Sequence, residues 1–444
     1  MRKIIAVWAA KAVTLVGNII RKKSSSAPGK VALKICPDLI RVLSKGISKG
    51  IVVVCGTNGK TTTNNLLNTA LIKCGYTTVC NNLGANMLSG VATALTEASN
   101  LLGKVSVDYG VFEVDEAYAR HLFNYLKPTC MIVTNLFRDQ LDRYGEVEAT
   151  LGLIDEAVNK AEGVTLVLNG DDPVTVQLGE NRNAVYYGVS EQVLPQTEKG
   201  VEGKFCAKCG GEQKYNFYHY SQLGDYYCES CGYKRPEINF DATEVDLSSS
   251  MKFTVNKSVK IDVNYRGFYN IYNILSVYSA MSAMGIKNFD FNKILADYKP
   301  QIGRMELMDL GKPVILNLAK NPAGFNQAIQ TVMLDKRKKD VIVAINDGET
   351  DGRDITWLWD VDFENLADEN LNSLTVAGRR RYDLALRFKY NDIKVESVTG
   401  NMKGAIQKCL KTDAEVCYVL VNYTVLFSTQ ETMLEIKKEQ GGEK

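Results

Sequence analysis

The chain is poor in histidine and carries no strong excess of charge. His121 and His219 are its only histidines among 444 residues, which excludes a histidine-rich metal centre and argues against a Ser-His-Asp triad. Lys and Arg number 53 against 51 Asp and Glu, so a net charge of +2 gives no general attraction to nucleic acid or membranes. The length suits two or three domains with real cores.

Long apolar runs are also missing. The longest charge-free run near the N-terminus, residues 12–20, is too short to span a bilayer, and no small-x-small cleavage site follows it. The spacing of the apolar residues in this N-terminal segment predicts a helix that packs one face on its own domain. Loose contact with a membrane surface is the alternative, because basic residues flank both ends of the segment. The residues that could share that face are Ile4, Ile5, Trp8, Val13, Val16 and Ile20.

The eleven cysteines show no disulfide framework. Four form a cluster near the middle of the chain, and the others are scattered, several within apolar runs, such as Cys55, Cys130 and Cys417. Scattered core thiols suit a reducing compartment. We therefore expect a cytoplasmic protein that is at most peripheral to the inner face of the membrane.

Short β-branched runs alternate with longer helical patterns from residue 51 onward, which predicts an α/β fold with mostly parallel sheets. We expect an N-terminal helix and linker over 1–45, a central nucleotide-binding domain over 46–300, and a second α/β domain over 301–444. A segment rich in Cys, Gly and Tyr, residues 204–235, interrupts the central domain as an insertion.

The stretch VVVCGTNGKTTT has the features of a phosphate-binding loop with shortened glycine spacing. Gly56 and Gly59 permit a tight turn between a strand and a helix, whose N-terminal N–H groups then surround an anion. Lys60 can reach the β- and γ-phosphates, and the Thr61 hydroxyl can bind Mg²⁺. The alternative is a purely structural turn.

Acidic residues follow the next two predicted strands. Glu113 of VFEVDE stands at a strand end, where ligands bind in open α/β sheets and where Mg²⁺ needs a carboxylate. Its neighbours Asp115 and Glu116 offer further carboxylates, with solvated surface acids as the alternative, and we expect Glu116 to be such a surface acid. The following segment VTNLFRDQLDRYG offers Asn135, Asp139, Asp142 and Arg143.

These motifs resemble the Mur ligase superfamily in order and spacing. The matching segments are GTNGKTT, FEVDE, TNLFRDQLDRYGEVE, LNGDDP, GFYNIYNILSVYSA and GRMEL, which together span about residues 50–310. The resemblance implies an enzyme that uses ATP to turn a carboxylate into an acyl phosphate, which an amine then attacks. The shorter glycine loop is the form found in that superfamily.

The resemblance also implies roles for individual residues. Thr61 and Glu113 would bind Mg²⁺, Asn270 and Asn273 would lie near the adenine, and Arg304 would sit at the interdomain hinge. The nucleotide-binding set is Gly56, Thr57, Asn58, Gly59, Lys60, Thr61, Thr62, Asn135, Asn270, Asn273 and Arg304.

Three departures from the superfamily pattern narrow the interpretation. Gln140 and Lys320 occupy positions where amino-acid-adding members usually carry histidine. No lysine can be assigned to the carbamylated lysine of some members. Only about 50 residues precede the loop, so we do not expect the UDP-binding domain of the cell-wall members.

CAKC and CESC, with eighteen residues between them, match a structural zinc ribbon. The predicted ligands are Cys206, Cys209, Cys228 and Cys231, and four thiolates leave no open position for catalysis. A redox pair or four free thiols are the alternatives. His219 is expected at the surface. The insertion lacks the dense basic patch of a nucleic-acid-binding ribbon.

In the C-terminal third, NDGETDGRDITWLWD places Asp351, Arg353 and Asp354 in a loop after a predicted strand. We expect Trp357 and Trp359 to be buried. By resemblance, Asp354 is the first candidate for a catalytic acid, with Asp351 behind it and Lys60 on the nucleotide. The alternative is a helix start at which Asp354 only satisfies backbone N–H groups.

The early loop, the four-cysteine insertion and the C-terminal segments resemble one branch of the superfamily, whose members work with a separate glutaminase subunit, GatD. This implies amidation of the α-carboxylate of D-glutamate in the lipid II stem peptide to D-isoglutamine, a step in peptidoglycan biosynthesis. The chain itself offers no histidine in a recognisable glutaminase context. Two rivals stay open: a stand-alone amino-acid-adding or polyglutamate ligase, and a zinc-ribbon nucleic-acid-binding protein with a nucleotide switch.

Overall fold

The computed structural model describes residues 1–19, 25–81, 85–137, 147–194, 204–248, 250–287, 289–298, 301–348 and 351–441. Strands and helices alternate through most of the chain, as the apolar runs predict. The helices are α1 (Arg2–Ile19), α2 (Ala27–Ile35), α3 (Leu39–Ser44), α4 (Lys60–Lys73), α5 (Leu88–Ala98), α6 (Ala119–Leu122), α7 (Val147–Lys160), α8 (Tyr269–Ala283), α9 (Phe291–Asp297), α10 (Pro322–Leu334), α11 (Arg381–Tyr390), α12 (Met402–Leu410) and α13 (Tyr423–Gly441).

The strands belong to three sheets within the described residues. Short 3-10 turns lie at Thr175–Gly179, Thr356–Asp360 and Phe363–Leu366. The strands are β1 (Ile47–Cys55), β2 (Thr78–Cys80), β3 (Val107–Glu113), β4 (Cys130–Val133), β5 (Thr165–Asn169), β6 (Ala184–Val189), β7 (Lys214–Tyr220), β8 (Leu223–Tyr227), β9 (Phe240–Asp246), β10 (Met251–Val255), β11 (Val259–Val263), β12 (Glu306–Asp309), β13 (Pro313–Leu318), β14 (Lys339–Ala344), β15 (Leu371–Ala377), β16 (Ser397–Val398) and β17 (Val416–Val421).

The first sheet has the order β11-β10-β9-β6-β5-β4-β1-β3-β2, parallel from β2 to β9 and antiparallel at β10 and β11. Successive residues of β1 enter opposite cores: Val52 and Val54 pack on one side, Val53 and Cys55 on the other. Helices therefore cover both faces of the sheet, which is why the central strand reads as an unbroken apolar run.

The second sheet has the order β12-β13-β17-β14-β15-β16 and is parallel except for β12. It too is buried on both faces, since Val341 and Val343 pack in one core and Ile342 and Ala344 in another. In both sheets the loops at the carboxyl ends of the strands are the favoured positions for ligands.

The four-cysteine insertion forms its own hairpin, β7–β8, which is fastened to the first sheet. Gln222 Nε2 donates to Leu136 O at 2.6 Å and to Asp172 Oδ1 at 3.1 Å. The Arg235 guanidinium pairs with the fully buried Asp171 at 2.6 Å. The insertion thus packs on the loop after β5 and stabilises it.

Helix α1 does pack on its own domain, but through a different face from the one predicted. Ala6, Val7 and Ala10 are buried, whereas Trp8 and Val16 are 54% and 55% exposed. The alanines let α1 approach its neighbours closely, and this leaves its large apolar side chains facing outward. Within the residues that the structure describes, no helix combines the length and apolar character needed to span a membrane.

Candidate active site at the phosphate loop

The loop between β1 and α4 takes a shape that only glycine permits at two positions. Gly56 has φ 118° and Gly59 has φ 86°, both in the left-handed region. A Cβ on Gly59 would lie 2.3 Å from Asn273 Oδ1, so the amide of Asn273 lies directly against the loop. Helix α4 begins at Lys60, and the N–H groups of its first turn lack acceptors within the helix and can receive phosphate.

Asn135, at the end of β4, holds the loop in this shape. Its side chain accepts from Asn58 N at 2.9 Å and donates to Asn58 O at 3.1 Å, and its carbonyl accepts from Thr57 N at 2.8 Å. Thr134 Oγ1 also donates to Asn58 O, at 2.7 Å. Asn135 therefore positions the loop backbone, a role compatible with its place in the predicted nucleotide-binding set.

The Lys60 side chain is buried and surrounded by oxygen. Its Nζ donates to Gly56 O, to Thr57 O at 3.2 Å and to Glu116 Oε1 at 2.9 Å. Burial alone would lower the pKa of Lys60, but the carboxylates of Glu116 and Glu113 outweigh it and raise the pKa, so the ammonium stays charged. The expectation that Glu116 is a solvated surface acid is wrong, because the chain turns back after β3 and leaves it 6% exposed.

Glu113 ends β3 opposite Val54 of β1, which brings it to the phosphate loop. It is 3% exposed, and burial raises the pKa of its carboxyl although Lys60 and the Thr61 hydroxyl act to lower it. Its Oε2 atom is buried without a hydrogen-bond partner. An unsatisfied carboxylate oxygen beside a threonine hydroxyl is the donor set that Mg²⁺ takes together with phosphate oxygens, so these residues fit the ion.

The residues predicted at the nucleotide and the hinge lie around the same loop. Asn273 Nδ2 donates to Asn270 Oδ1 at 3.0 Å, so the two amides of α8 form a pair. The positive charge of Arg304 acts to lower the pKa of Glu113. Arg304 lies between Gly303, with φ 73°, and Met305, with φ 51°, so the backbone on both sides of it is left-handed and constrained.

The second sheet supplies a residue that the sequence interpretation did not include. Asn321, in the AKNP segment after β13, exchanges hydrogen bonds of 3.3 and 3.2 Å with the side chain of Asn58. It is 2% exposed, and its Oδ1 also caps α10 through Gly324 N at 2.8 Å. The AKNP motif, which contains Asn321, was the signal available in the sequence.

The four insertion cysteines converge on one point. Their Sγ atoms lie within 4.8 Å of one another, with Cys206–Cys231 at 3.7 Å and Cys209–Cys228 at 3.6 Å. These separations match the roughly 3.8 Å expected between thiolates around a tetrahedral zinc with bonds of about 2.3 Å. The donor set and spacing thus fit a structural metal ion.

His219 lies between the two cysteine pairs in the sequence. The expectation that it is a surface residue is wrong. It is 3% exposed, its Nε2 lies 3.3 Å from Val189 O, and its ring lies 4.9 Å from that of Phe268. The hairpin places it against the first sheet, within an aromatic cluster at the start of α8. The packing of the hairpin against the first sheet buries His219 and also the next residue of β7, Tyr220.

The acids of the C-terminal loop have local partners. Asp351 is buried and accepts from Thr424 N at 3.0 Å, from Thr424 Oγ1 and from Gly348 N at 3.3 Å. Asp354 is exposed, and hydrogen bonds from Thr356 N and Oγ1, at 2.8 and 2.7 Å, lower the pKa of its carboxyl. Among the described residues, no hydrogen bond or ion pair joins either acid to the phosphate loop.

Two further expectations concern this part of the chain and the segment after β4. Trp359 is 51% exposed and meets the ring of Tyr390 of α11 edge-on, so its predicted burial is wrong, while Trp357 is half-buried beside Phe325. Arg387 of α11 donates to Leu358 O at 3.2 Å, and its guanidinium lies 5.6 Å from the centre of the Trp359 ring. Asp139, Asp142 and Arg143 lie outside the described residues.

Comparison with known families agrees with this geometry. Residues 54–281 match the Mur ligase middle domain, and residues 318–426 match the MurT ligase C-terminal domain. A solved pseudomurein peptide ligase type C from Methanothermus fervidus has the same fold, with TM-score 0.70, 23% identity, and coverage of 89% of this chain and 80% of that one. The fold and the loop are those of a Mur-type ligase.

Two relatives specify the branch. The chain is 32% identical over 398 residues to the protein named lipid II isoglutaminyl synthase (glutamine-hydrolyzing) subunit MurT of Staphylococcus aureus, with 89% of each chain covered. It is 33% identical over 419 residues to the protein of that name from Streptococcus pneumoniae, covering 93% of this chain and 92% of that one. The chain belongs to the MurT family.

Proposed function

We propose that this chain is the ATP-consuming subunit of a two-subunit ligase that converts the α-carboxylate of D-glutamate in the lipid II stem peptide into the carboxamide of D-isoglutamine. The observation that carries the proposal is the buried cluster of Lys60, Glu113 and Glu116 at the phosphate loop of a chain in the MurT family. Such a cluster costs folding free energy and is explained by a charged ligand.

The reaction divides into two balanced steps. A carboxylate oxygen of the substrate attacks the γ-phosphorus of ATP, and the bond to the β,γ-bridging oxygen breaks to release ADP. The nitrogen of ammonia then attacks the carbonyl carbon of the acyl phosphate, inorganic phosphate leaves, and the ammonium intermediate loses a proton. Both steps depend on holding the reactants in line and keeping water from the acyl phosphate.

The residues around the loop account for the first step. The N–H groups at the start of α4 and the Lys60 ammonium would bind the β- and γ-phosphates, with Lys60 exchanging its contacts to Gly56 O and Thr57 O for phosphate oxygens. Thr61 and Glu113 would hold Mg²⁺, which neutralises charge on the phosphates. Asn270, Asn273 and Arg304 would border the nucleotide.

The second sheet reaches the phosphate loop through Asn321, and this contact supports a reaction that is enclosed between two domains. Asn58, its partner, is a loop residue, so nucleotide binding and the approach of the second sheet act on the same side chain. We infer that phosphate binding at the loop changes the Asn58–Asn321 contact and so affects the position of the C-terminal domain, whose loop carries Asp351 and Asp354.

We infer that another polypeptide releases the ammonia from glutamine. His219 is buried and bonded to Val189 O, and His121 is exposed beside Tyr118. Neither has the arrangement of a base paired with a cysteine nucleophile. The two relatives are named as one subunit of a glutamine-hydrolyzing enzyme, which supports a glutaminase partner of the GatD type.

Asp354 is our candidate for the acid or base that acts near the entry of ammonia. It is exposed, its pKa is lowered, and it is therefore ionised and accessible at neutral pH. The turn that follows it packs on α11, where Arg387 Nε donates to Leu358 O at 3.2 Å. Tyr382, Leu386 and Tyr390 stand exposed on that helix and are available to the partner subunit.

We propose that the four cysteines bind one structural zinc ion. It would fix the end of the hairpin whose residue Gln222 holds the loop after β5, so zinc stabilises the ligase domain without touching substrate. Removing zinc with a chelator is expected to lower the melting temperature by roughly 5 °C or more. One equivalent of zinc per chain should be released on denaturation, and a metal-free protein of unchanged stability would contradict this assignment.

The reaction is tested with the purified chain, a GatD-type glutaminase, glutamine, ATP and lipid II that carries D-glutamate. Mass spectrometry should show carboxamide in place of carboxylate, together with one ADP per amide formed. Unchanged lipid II would refute the proposal. ADP release driven by a free amino acid without the glutaminase would instead indicate an amino-acid-adding ligase, and salt-sensitive binding to RNA that survives loss of Lys60 would indicate the nucleic-acid-binding alternative.

A further inference from the structure

The outward face of α1 is an exposed apolar surface that the proposed reaction does not use. Its large side chains stand far out of the protein: Trp8 and Ile5 are each 54% exposed, Val16 55%, Leu15 62% and Ile19 72%. Single exposed apolar side chains are ordinary, but a contiguous set on one element marks a contact surface. We call these five residues the α1 face.

Helical geometry shows that the α1 face is continuous. At about 100° per residue, Leu15, Trp8, Ile19, Ile5 and Val16 fall in that order within an arc of roughly 100°, and Ala12 falls inside the same arc. The buried residues Ala6, Val7 and Ala10 occupy the opposite side. The helix therefore packs inward with small residues and presents its large ones outward, the reverse of a helix that only completes a core.

The surface extends beyond the helix. Trp8 Nε1 donates to Leu101 O at 2.8 Å, which fixes the loop after α5 beside it. Leu101 and Leu102 of that loop are 65% and 67% exposed. The indole thus has its polar atom hydrogen-bonded and its ring exposed, next to two further exposed leucine side chains.

Basic side chains border this surface. On the same helical projection, Lys11 flanks the α1 face on one side and Arg2 on the other, and Lys3 lies alongside Gly103 of the leucine loop. The first 37 residues contain eight Lys and Arg and no Asp or Glu. One acidic residue, the exposed Glu97, lies beside this surface, and its backbone oxygen accepts from Lys11 Nζ at 3.3 Å.

The charge decides between possible occupants. A second copy of this chain would place one basic border against another, which opposes a symmetric dimer through the α1 face. An anionic lipid surface complements both features: the tryptophan and aliphatic side chains enter the boundary between headgroups and acyl chains, while lysine and arginine remain at the phosphates.

We propose that the α1 face, together with Leu101 and Leu102, docks this protein on an anionic bilayer, with α1 lying in the plane of the headgroups. The helix binds without crossing the membrane, because its inner side is occupied by its own domain. This inference is independent of the amidation reaction, since it rests on the exposure and charge of the N-terminal segment alone.

The test is flotation of the full-length chain with vesicles of phosphatidylglycerol and phosphatidylcholine, compared with phosphatidylcholine alone. We expect the protein to float with the anionic vesicles and to be released as salt is raised. Replacing Leu15→Gln and Ile19→Gln together should lower the partition coefficient at least about tenfold, because both side chains would leave the bilayer.

A matched control is Leu386→Gln, which changes a leucine on α11 that is 48% exposed and should leave flotation unaltered. The Leu15→Gln, Ile19→Gln variant should keep the wild-type melting temperature, since neither side chain faces the domain. Three results would overturn the proposal: flotation of this variant like wild type, failure of the wild type to bind anionic vesicles at low salt, or a dimer in sedimentation that this variant dissociates. None of these three results depends on a measurement of catalytic activity.

Discussion

The carboxylates at the phosphate loop and those in the C-terminal loop are held in opposite ways. Glu113 is buried with one oxygen unpaired, and the hydrogen-bond partner of Glu116 is a lysine that is itself needed for a ligand. Asp351 and Asp354 receive their hydrogen bonds from backbone and threonine donors within the C-terminal domain. Glu113 has thus lost its water without gaining a full set of hydrogen bonds, whereas Asp351 and Asp354 have local hydrogen-bond donors.

The hydrogen bonding of a buried carboxylate distinguishes a ligand-binding charge from a structural one. An unsatisfied buried carboxylate destabilises the fold until something binds it, so it persists where a ligand supplies the missing contacts. A carboxylate that caps a turn stabilises the fold without a ligand. The two loops should therefore respond differently to substitution. At the phosphate loop, activity should fall without a matching fall in stability, whereas substitution of Asp351 should change activity and stability only slightly.

The largest effect is expected for Lys60→Ala. It removes the ammonium that meets the phosphates and leaves Glu113 and Glu116 without their cation, so amide formation should fall at least about 10²–10³-fold. Lys73→Ala is the matched control, because Lys73 lies on the same helix in a partly exposed pair with Asp297 at 2.6 Å. That control should keep nearly full activity, as surface pairs contribute little.

Loss of folding must be separated from loss of chemistry in the Lys60 variant. Removing one partner of a buried pair costs roughly 3–5 kcal/mol, because the other charge stays behind. The double variant Lys60→Ala, Glu116→Gln should regain melting temperature and remain inactive. Regained activity in the double variant would mean that Lys60 serves the fold and not the nucleotide.

Glu113→Gln is expected to separate activity from stability. Burial raises the pKa of Glu113, so its ionised form destabilises the folded chain at neutral pH and the neutral amide should keep or raise the melting temperature. Amide formation should drop about 10²-fold and need more Mg²⁺ for half-maximal rate. A lower melting temperature with an unchanged Mg²⁺ requirement would show that Glu113 is structural.

A smaller effect is expected for Asp354→Asn. Asparagine keeps an oxygen for Thr356 N, so the turn should stay folded, while the loss of charge should lower amide formation by roughly ten- to a hundredfold if Asp354 handles a proton. The rates with glutamine and with ammonium chloride should be measured for this variant and for the nearby exposed Asp360→Asn. Equal rates in the two variants would assign Asp354 to capping alone.

The smallest change is expected for Asp351→Asn, which weakens the contacts to Thr424 at the start of α13. Loss of such a cap costs about 0.5–2 kcal/mol, visible as a shift of a few degrees in melting temperature. Amide formation below the unfolding temperature should stay within about twofold of wild type. A large fall in rate at unchanged stability would make Asp351 part of the chemistry after all.

Much of the molecule follows from local sequence. The strand–glycine–helix pattern at Gly56–Lys60 specifies an anion-binding loop because only certain backbone angles connect those elements, and the CxxC spacing specifies a four-thiolate cluster for the same local reason. Where the sequence interpretation failed, the missing information was three-dimensional. Glu116 lies beyond the end of β3, where strand alternation no longer says which side chains point inward.

The predictions for the buried face of α1 and for the surface position of His219 fail for a related reason. Periodicity shows that residues share a helical face but not which face meets the protein, and on α1 the alanines and not the large side chains do so. Asn58 and Asn321 are 263 positions apart, and no local pattern could pair them.

Local sequence is enough to specify the strands, the glycine turn, the lysine on that turn and the spacing of the thiols, since each depends on neighbours within one element or turn. The folded chain is needed to know which carboxylates lose their water, which amides bridge the two sheets, and which side of α1 faces outward. Those outcomes depend on chain segments that meet only after folding, and desolvation is a property of the assembled surroundings and not of the residue.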